Sequence, residues 1–214
     1  MKANRLIILT LVFSMIFGAT VYADSLWGNY NGYPKAKVFV NDSEVTFKDG
    51  EVPAIVIDGS TVLPIRKVAE KLQAIVEWNK DTMTANIYKP NVHMFVSEDV
   101  KIDKNKQVAV IKSPFSVVET GKTVDFVVVV QVDGLKAEST GFKISIVKPD
   151  GDDYDSKEVL ADSSSSSRLP SIFGYTSQPF NVKFSQKGTY LVRFSFKDTD
   201  DKYTIISQKS IVSE

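Results

Sequence analysis

The chain contains no cysteine and a single histidine. The first absence excludes disulfides, a thiol nucleophile, zinc–thiolate sites and lipid attachment through an N-terminal Cys. The second leaves His93 without a histidine partner, and no Gly-x-Ser-x-Gly elbow accompanies it. Its neighbours Val92, Met94 and Phe95 make it an ordinary residue at a strand edge. An excess of one charge is also lacking, with 26 basic and 26 acidic residues. Removing residues 1–23 takes away Lys2 and Arg5 and no acids, which leaves a net charge of −2. Such a surface has no field to attract nucleic acid or anionic lipid. Past residue 23 no apolar run is long enough to span a bilayer. No Leu-Pro-x-Thr-Gly motif occurs, so covalent wall anchoring is not expected.

What is present begins with a leader. Lys2 and Arg5 precede an apolar run from Leu6 to Phe17, followed by Val21-Tyr22-Ala23. That order reads as a secretory signal peptide cleaved after Ala23, with a retained anchor as the alternative. A disulfide-free exported chain fits a bacterial wall or surface better than a eukaryotic secretory route.

The stretch from Val56 to Tyr88 organises the rest. Ile65, Val68, Ala69 and Leu72 fall at i, i+3, i+4 and i+7, one face of a helix that opens after Pro64. Strands are expected at Ile75–Trp78 and Thr84–Tyr88 around the polar turn Asn79–Thr82. The segments Val38-Phe39-Val40-Asn41, Ile57-Asp58-Gly59-Ser60-Thr61-Val62-Leu63-Pro64-Ile65-Arg66, Val68-Ala69-Glu70-Lys71-Leu72 and Val76-Glu77-Trp78 together resemble the secreted bacterial stalk domain, or copper amine oxidase N-terminal-like domain, over residues 36–89. The resemblance implies a non-catalytic module of a cell-surface protein. The parent oxidases hold copper through three histidines in a separate catalytic domain, and one imidazole cannot form that site. No cofactor is expected. Two positions depart from the family pattern. Asn41-Asp42 replaces Asn-Gly, which points to a turn wider than two residues, and Gln73 stands where Gly commonly closes the helix.

Around this stretch the chain is expected to divide into a signal peptide (1–23), an aromatic strap (24–35), the stalk domain (36–89), a linker (90–107) and a β-sandwich (108–214). In the strap, Trp27, Tyr30 and Tyr33 are spaced by Gly and Asn. Their rings are expected to pack across the following sheet, or alternatively to stack on a ligand. Lys35–Val40, Val45–Phe47 and Ala54–Ile57 read as strands. From Val108 onward, runs such as Val124–Val132, Phe142–Val147, Phe180–Phe184, Tyr190–Phe196 and Thr204–Ile211 give about seven strands, the count of an immunoglobulin-like sandwich. Gly188-Thr189-Tyr190 resembles the tyrosine corner of such domains. Ser163–Ser167 is a low-complexity surface loop. The fold class expected is therefore a small α+β N-terminal domain followed by an all-β immunoglobulin-like sandwich.

Two acidic loops carry the only metal candidates: Asp150, Asp152, Asp153 and Asp155 in one, Asp198, Asp200 and Asp201 in the other. Clustered carboxylates suit Ca²⁺, yet Asp and Gly are also common hairpin-turn residues, so solvated turns compete with a calcium site. A calcium-dependent adhesin requires both loops at one end of the sandwich. Arg66 lies near a helix start, where a cation opposes the dipole, and calls for a carboxylate or carbonyl partner such as Asp58 or Glu70. The functional expectation is an exported, non-catalytic binding or spacer protein whose partner is a cell-wall glycan or a surface protein. It has no nucleic-acid partner and no membrane contact after signal cleavage. A wall-polymer hydrolase or accessory factor is the rival, since paired carboxylates are a tertiary property.

Overall fold

The computed structural model describes residues 26–103, 108–161 and 168–214, with the backbone alone for residues 99–112. The leader and the serine run of 163–167 lie outside the described residues. The chain divides into two compact units, residues 1–64 and 65–214. In fold class it is a small region of few strands and one helix, followed by a larger β-sandwich.

Short hairpins shape the first unit. β1 (Asn29–Tyr30) pairs with β2 (Tyr33–Pro34), β3 (Phe39–Val40) with β4 (Ser43–Glu44), and β5 (Ile55–Ile57) with β6 (Ser60–Val62). Each closes through two residues at positive φ: Asn31 at 49° and Gly32 at 84°, Asn41 at 48° and Asp42 at 59°, Asp58 at 49° and Gly59 at 75°. Positive φ at both central positions is the type I′ turn, whose twist matches that of the flanking strands. The wider turn expected at Asn41-Asp42 does not form. Short polar side chains tolerate the left-handed region, and Val40 pairs directly with Ser43. The strand expected over Lys35–Val40 is shorter, reduced to Phe39–Val40 and a single bridge from Lys35 to Ile55. Val45 and Ala54 are buried.

The second unit opens with α1 (Ile65–Lys71), immediately after Pro64. It stops in a Schellman arrangement: the Gln73 N–H donates to the Glu70 carbonyl (3.1 Å) and the Ala74 N–H to the Ala69 carbonyl (2.8 Å). Gln73 itself takes the left-handed position, with φ 57°. Of the expected apolar stripe, Ala69 is buried and Val68 half-buried, while Ile65 and Leu72 are exposed. The helix is only seven residues long, and it packs against the following strand through its middle. That strand, β7 (Ile75–Asn79), forms a hairpin with β8 (Thr84–Tyr88). The Asn79 side-chain oxygen accepts the N–H groups of Asp81 and Thr82 (both 3.0 Å) and so shapes the turn.

The sandwich contains β9 (Asn91–Asp103), β10 (Val108–Pro114), β11 (Val117–Val118), β12 (Thr123–Asp133), β13 (Gly141–Val147), β14 (Asp153–Leu160), β15 (Phe173–Thr176), β16 (Phe180–Lys183), β17 (Gly188–Lys197) and β18 (Tyr203–Ser213). One sheet runs β10-β9-β12-β15, with β16 also pairing with β12; the other runs β11-β18-β17-β13-β14. Alternation along β12 buries Val124, Phe126, Val128, Val130 and Val132. From the opposite sheet come Ile144, Ile146, Val192 and Phe194, all fully buried. Rings join the two layers: Phe142 stacks on Phe173 at 5.6 Å and meets Tyr175 edge-on at 4.8 Å.

Two expected boundaries move. Residues 91–103 form a long strand zipped to β12 and β10, so most of the segment read as a linker belongs to the sandwich. The run Asn91–Ser97 pairs residue by residue with Val127–Asp133, and its Met94 and Val96 are buried there. The helix and the β7–β8 hairpin also fall in the second unit rather than closing a separate 36–89 domain, because Ile75 joins the buried sandwich cluster and Tyr88 packs against it.

Candidate functional site

In the first unit the aromatic segment is a hairpin, not a strap laid flat on a sheet. The Asn31-Gly32 turn sets Tyr30 directly opposite Tyr33, so both rings stand on one face of the ribbon. Trp27 is 50% exposed and Tyr33 44%, while Tyr30 is half-buried. This corrects the expectation that the rings pack inward. The Lys37 ammonium sits 4.1 Å from the centre of the Trp27 ring and 3.4 Å from the Glu44 carboxylate. One face of the indole is thereby steadied by a cation.

The acidic loops occupy opposite ends of the sandwich. In the β13–β17 register Gly141 faces Lys197 and Val147 faces Leu191. The 150–153 turn, which follows Val147, therefore lies beside the start of β17. The 198–201 turn, which follows Lys197, lies beside the start of β13. No calcium site can draw on both, and the adhesin reading that required one end fails on this geometry. Within each loop lysines and backbone N–H groups take the carboxylates. Asp150 accepts from Lys148 (3.1 Å), from the Gln186 amide (2.6 Å) and from the Asp152 N–H (3.0 Å). These bonds, Gln186 foremost and then the Asp152 N–H, lower its pKa to about 2. Lys148 also reaches Asp152 at 3.3 Å, and Asp155 lies 3.9 Å from Lys157. Asp153 opens β14 and is exposed. Asp198 accepts the N–H groups of Asp200 and Lys202, and Asp201 pairs with Lys197 at 3.0 Å. Among the described residues no three His, Cys, Asp or Glu side chains converge as metal ligands.

Beside the second turn, Tyr203 donates its hydroxyl proton to Glu158, which Lys197 also approaches at 3.3 Å. Burial first, then the Glu158 bond, push the Tyr203 phenol up to about 12. The bond from Tyr203 is the largest cause that lowers Glu158. His93 is exposed on β9, opposite Gln131, and its Nε2 lies 3.3 Å from the Asn91 amide. The partner of Arg66 is a carbonyl, that of Val76, at 3.4 Å.

Sequence reasoning missed a groove in the second unit. It has a volume of about 770 Å³ and lies between the β7–β8 hairpin and the 198–202 turn, with Glu138 contributing from the loop after β12. Trp78, 47% exposed, forms part of its wall. The Glu138 N–H donates to Glu77 at 2.9 Å, which ties the hairpin to the sandwich. The burial along β7 held the available signal: Ile75 is buried and Glu77 half-buried, while Trp78 at the far end of the strand is exposed.

Residues 39–141, just under half of the chain, match the family model of the copper amine oxidase N-terminal domain. Among solved structures the chain is similar to the CARDB domain of a Pyrococcus furiosus protein in complex with di-metal ions. That likeness has 14% identity, covers 59% of this chain and 90% of that one, and has a TM-score of 0.33, too slight to place any residue. No curated protein matches the chain.

Proposed function

We propose that the protein is an exported, non-catalytic binding or spacer protein of a bacterial cell surface or wall. Its first unit presents an aromatic hairpin to a wall glycan or surface protein, and an immunoglobulin-like sandwich carries it. The observation that supports this most is the exposure of Trp27 and Tyr33, with Lys37, itself paired with Glu44, over the Trp27 ring. Half-exposed rings leave apolar surface open to a partner, and an indole beside a cation is a ready contact surface. The match to the copper amine oxidase N-terminal domain agrees with this reading, as does the signal-like leader. The sandwich core is dominated by apolar side chains packed between two sheets, suited to holding other surfaces in place.

The test is fractionation of an expressing bacterium, followed by co-sedimentation of the purified protein with isolated wall material. Export should yield a mature chain beginning at Asp24, and Trp27→Ala/Tyr30→Ala should remain in the supernatant while the wild type pellets. A protein retained in the cytoplasm, or one whose sedimentation ignores the double substitution, would overturn the proposal.

A further inference from the structure

We infer that the groove beside Trp78 is a second binding site, built for a neutral oligosaccharide. It rests on the proposed binding role for its biological setting but on its own residues for its chemistry. Its volume, about 770 Å³, falls within the range of roughly 300–1,000 Å³ typical of small-molecule sites. The Trp78 indole offers a flat apolar surface, 47% exposed, with no ring or cation stacked on it among the described residues. Around it stand planar polar groups with capacity to spare. The oxygen of Asn79 is committed to its own turn, which leaves the amide donors of that side chain without a protein acceptor among the described residues. The carboxylates of Asp81 and Asp200 and the ammonium of Lys202 likewise have no side-chain partner there, although all three line the groove.

This combination selects a ligand class. A nucleic acid or other polyanion would meet Asp81, Glu138 and Asp200 at close range, and a polycation would meet Lys202 and Arg66. A purely apolar ligand would strip water from carboxylates that nothing else satisfies. A ring with an apolar face and a rim of uncharged hydroxyls suits both parts of the wall. Its C–H face covers the indole, while its hydroxyls donate to Asp81 and Asp200 and accept from Asn79 and Lys202. The volume of the groove and its walls on two hairpins favour a short chain of sugars over a single one.

The full-length protein, expressed for export, supplies the test. Trp27→Phe leaves Trp78 as the sole tryptophan, since the chain has two. Its fluorescence is then titrated with chitohexaose and with cellohexaose to about 10 mM. A saturating change with at least one of them is expected. In the same background, calorimetry should show Trp78→Tyr retaining most of the affinity and Trp78→Ala losing about tenfold, with equal melting temperatures confirming an intact fold. No response to either oligosaccharide, or undiminished binding by Trp78→Ala, would overturn the inference. Wall retention that depends on Trp27 is read in a separate protein, so failure of the groove leaves the hairpin proposal standing. Failure of the hairpin leaves a positive titration intact.

Discussion

Gln73 holds a left-handed φ of 57° at the close of α1, a conformation that costs an L-residue roughly 1–2 kcal/mol and glycine almost nothing. Glycine gives some of that back through its greater unfolded-state freedom. Gln73→Gly should therefore stabilise the second unit by about 0.5–1 kcal/mol, read as a rise in urea midpoint at unchanged slope. Asp150 gives a pH signature. Its folded pKa, about 2, lies below the ordinary 3.8. The stabilisation from its bonds is present above pH 3.8 and is lost as pH falls through about 2. The carboxylate is 40% exposed, so solvent screens the effect on stability and the titration itself is the better readout. Carboxyl carbon NMR of Gln186→Ala should show the Asp150 pKa moving up toward its ordinary value; an unmoved titration would remove Gln186 as the main cause. At this scale the sequence was legible where a motif names a contact. Gly188-Thr189-Tyr190 announces the corner, and the fully buried Tyr190 hydroxyl accepts the Gln186 N–H at 3.1 Å. It was illegible where exposure decides, because aromatic side chains usually bury and nothing in the spacing of Trp27 and Tyr33 says that theirs do not.

β12 is the element on which the sandwich depends. It pairs with β15 over Val129–Val132 and with β16 over Thr123–Phe126, and between them the chain crosses at Ser177. There the ladder is kept whole by a side chain: Val128 N–H donates to the Ser177 hydroxyl oxygen, and Ser177 N–H to the Val128 carbonyl, both at 2.9 Å. Ser177→Ala would strand a buried N–H and should cost about 1–3 kcal/mol, measured by chemical denaturation. Phe126→Ala, from the centre of the same strand, should cost about 3–5 kcal/mol. Trp27→Ala should cost less than Phe126→Ala, about 1–2 kcal/mol, since half of the ring is exposed. β12 could be read directly because apolar residues fill its inner face without a break. β14 could not, and β9 only over its apolar start, Val92–Val96. Half of β14 is charged, as suits an edge strand, and only its Val159–Leu160 end is apolar. The acidic pair Glu98-Asp99 inside β9 reads as part of a linker, yet β12 pairs with Asn91–Ser97 and β10 with the strand from Ser97 to Asp103, and together they hold it extended. The three two-residue turns of the first unit had visible Asn or Asp signals. Only the tolerance of Asp42 for positive φ was underestimated.

At the scale of the whole molecule, the first unit exposes Trp27 and Tyr33 and the second exposes Trp78 at the groove. The division into a helix-bearing region and a β-sandwich was legible, because periodicity changes along the chain from helical to alternating. Where one unit ends was not, because Ile75 and Tyr88 reveal their attachment to the sandwich only through tertiary packing. We propose that these surfaces bind wall polymer and leave it unchanged. The most direct measurement incubates the purified protein with isolated peptidoglycan and reads pelleted protein and newly released reducing ends in the same tube. Wild type should pellet and Trp27→Ala/Tyr30→Ala should stay soluble, with no reducing ends released above the protein-free control by either. Release of reducing ends by the wild type would make the protein a hydrolase, and absence of wild-type protein from the pellet would deny it the wall as a partner.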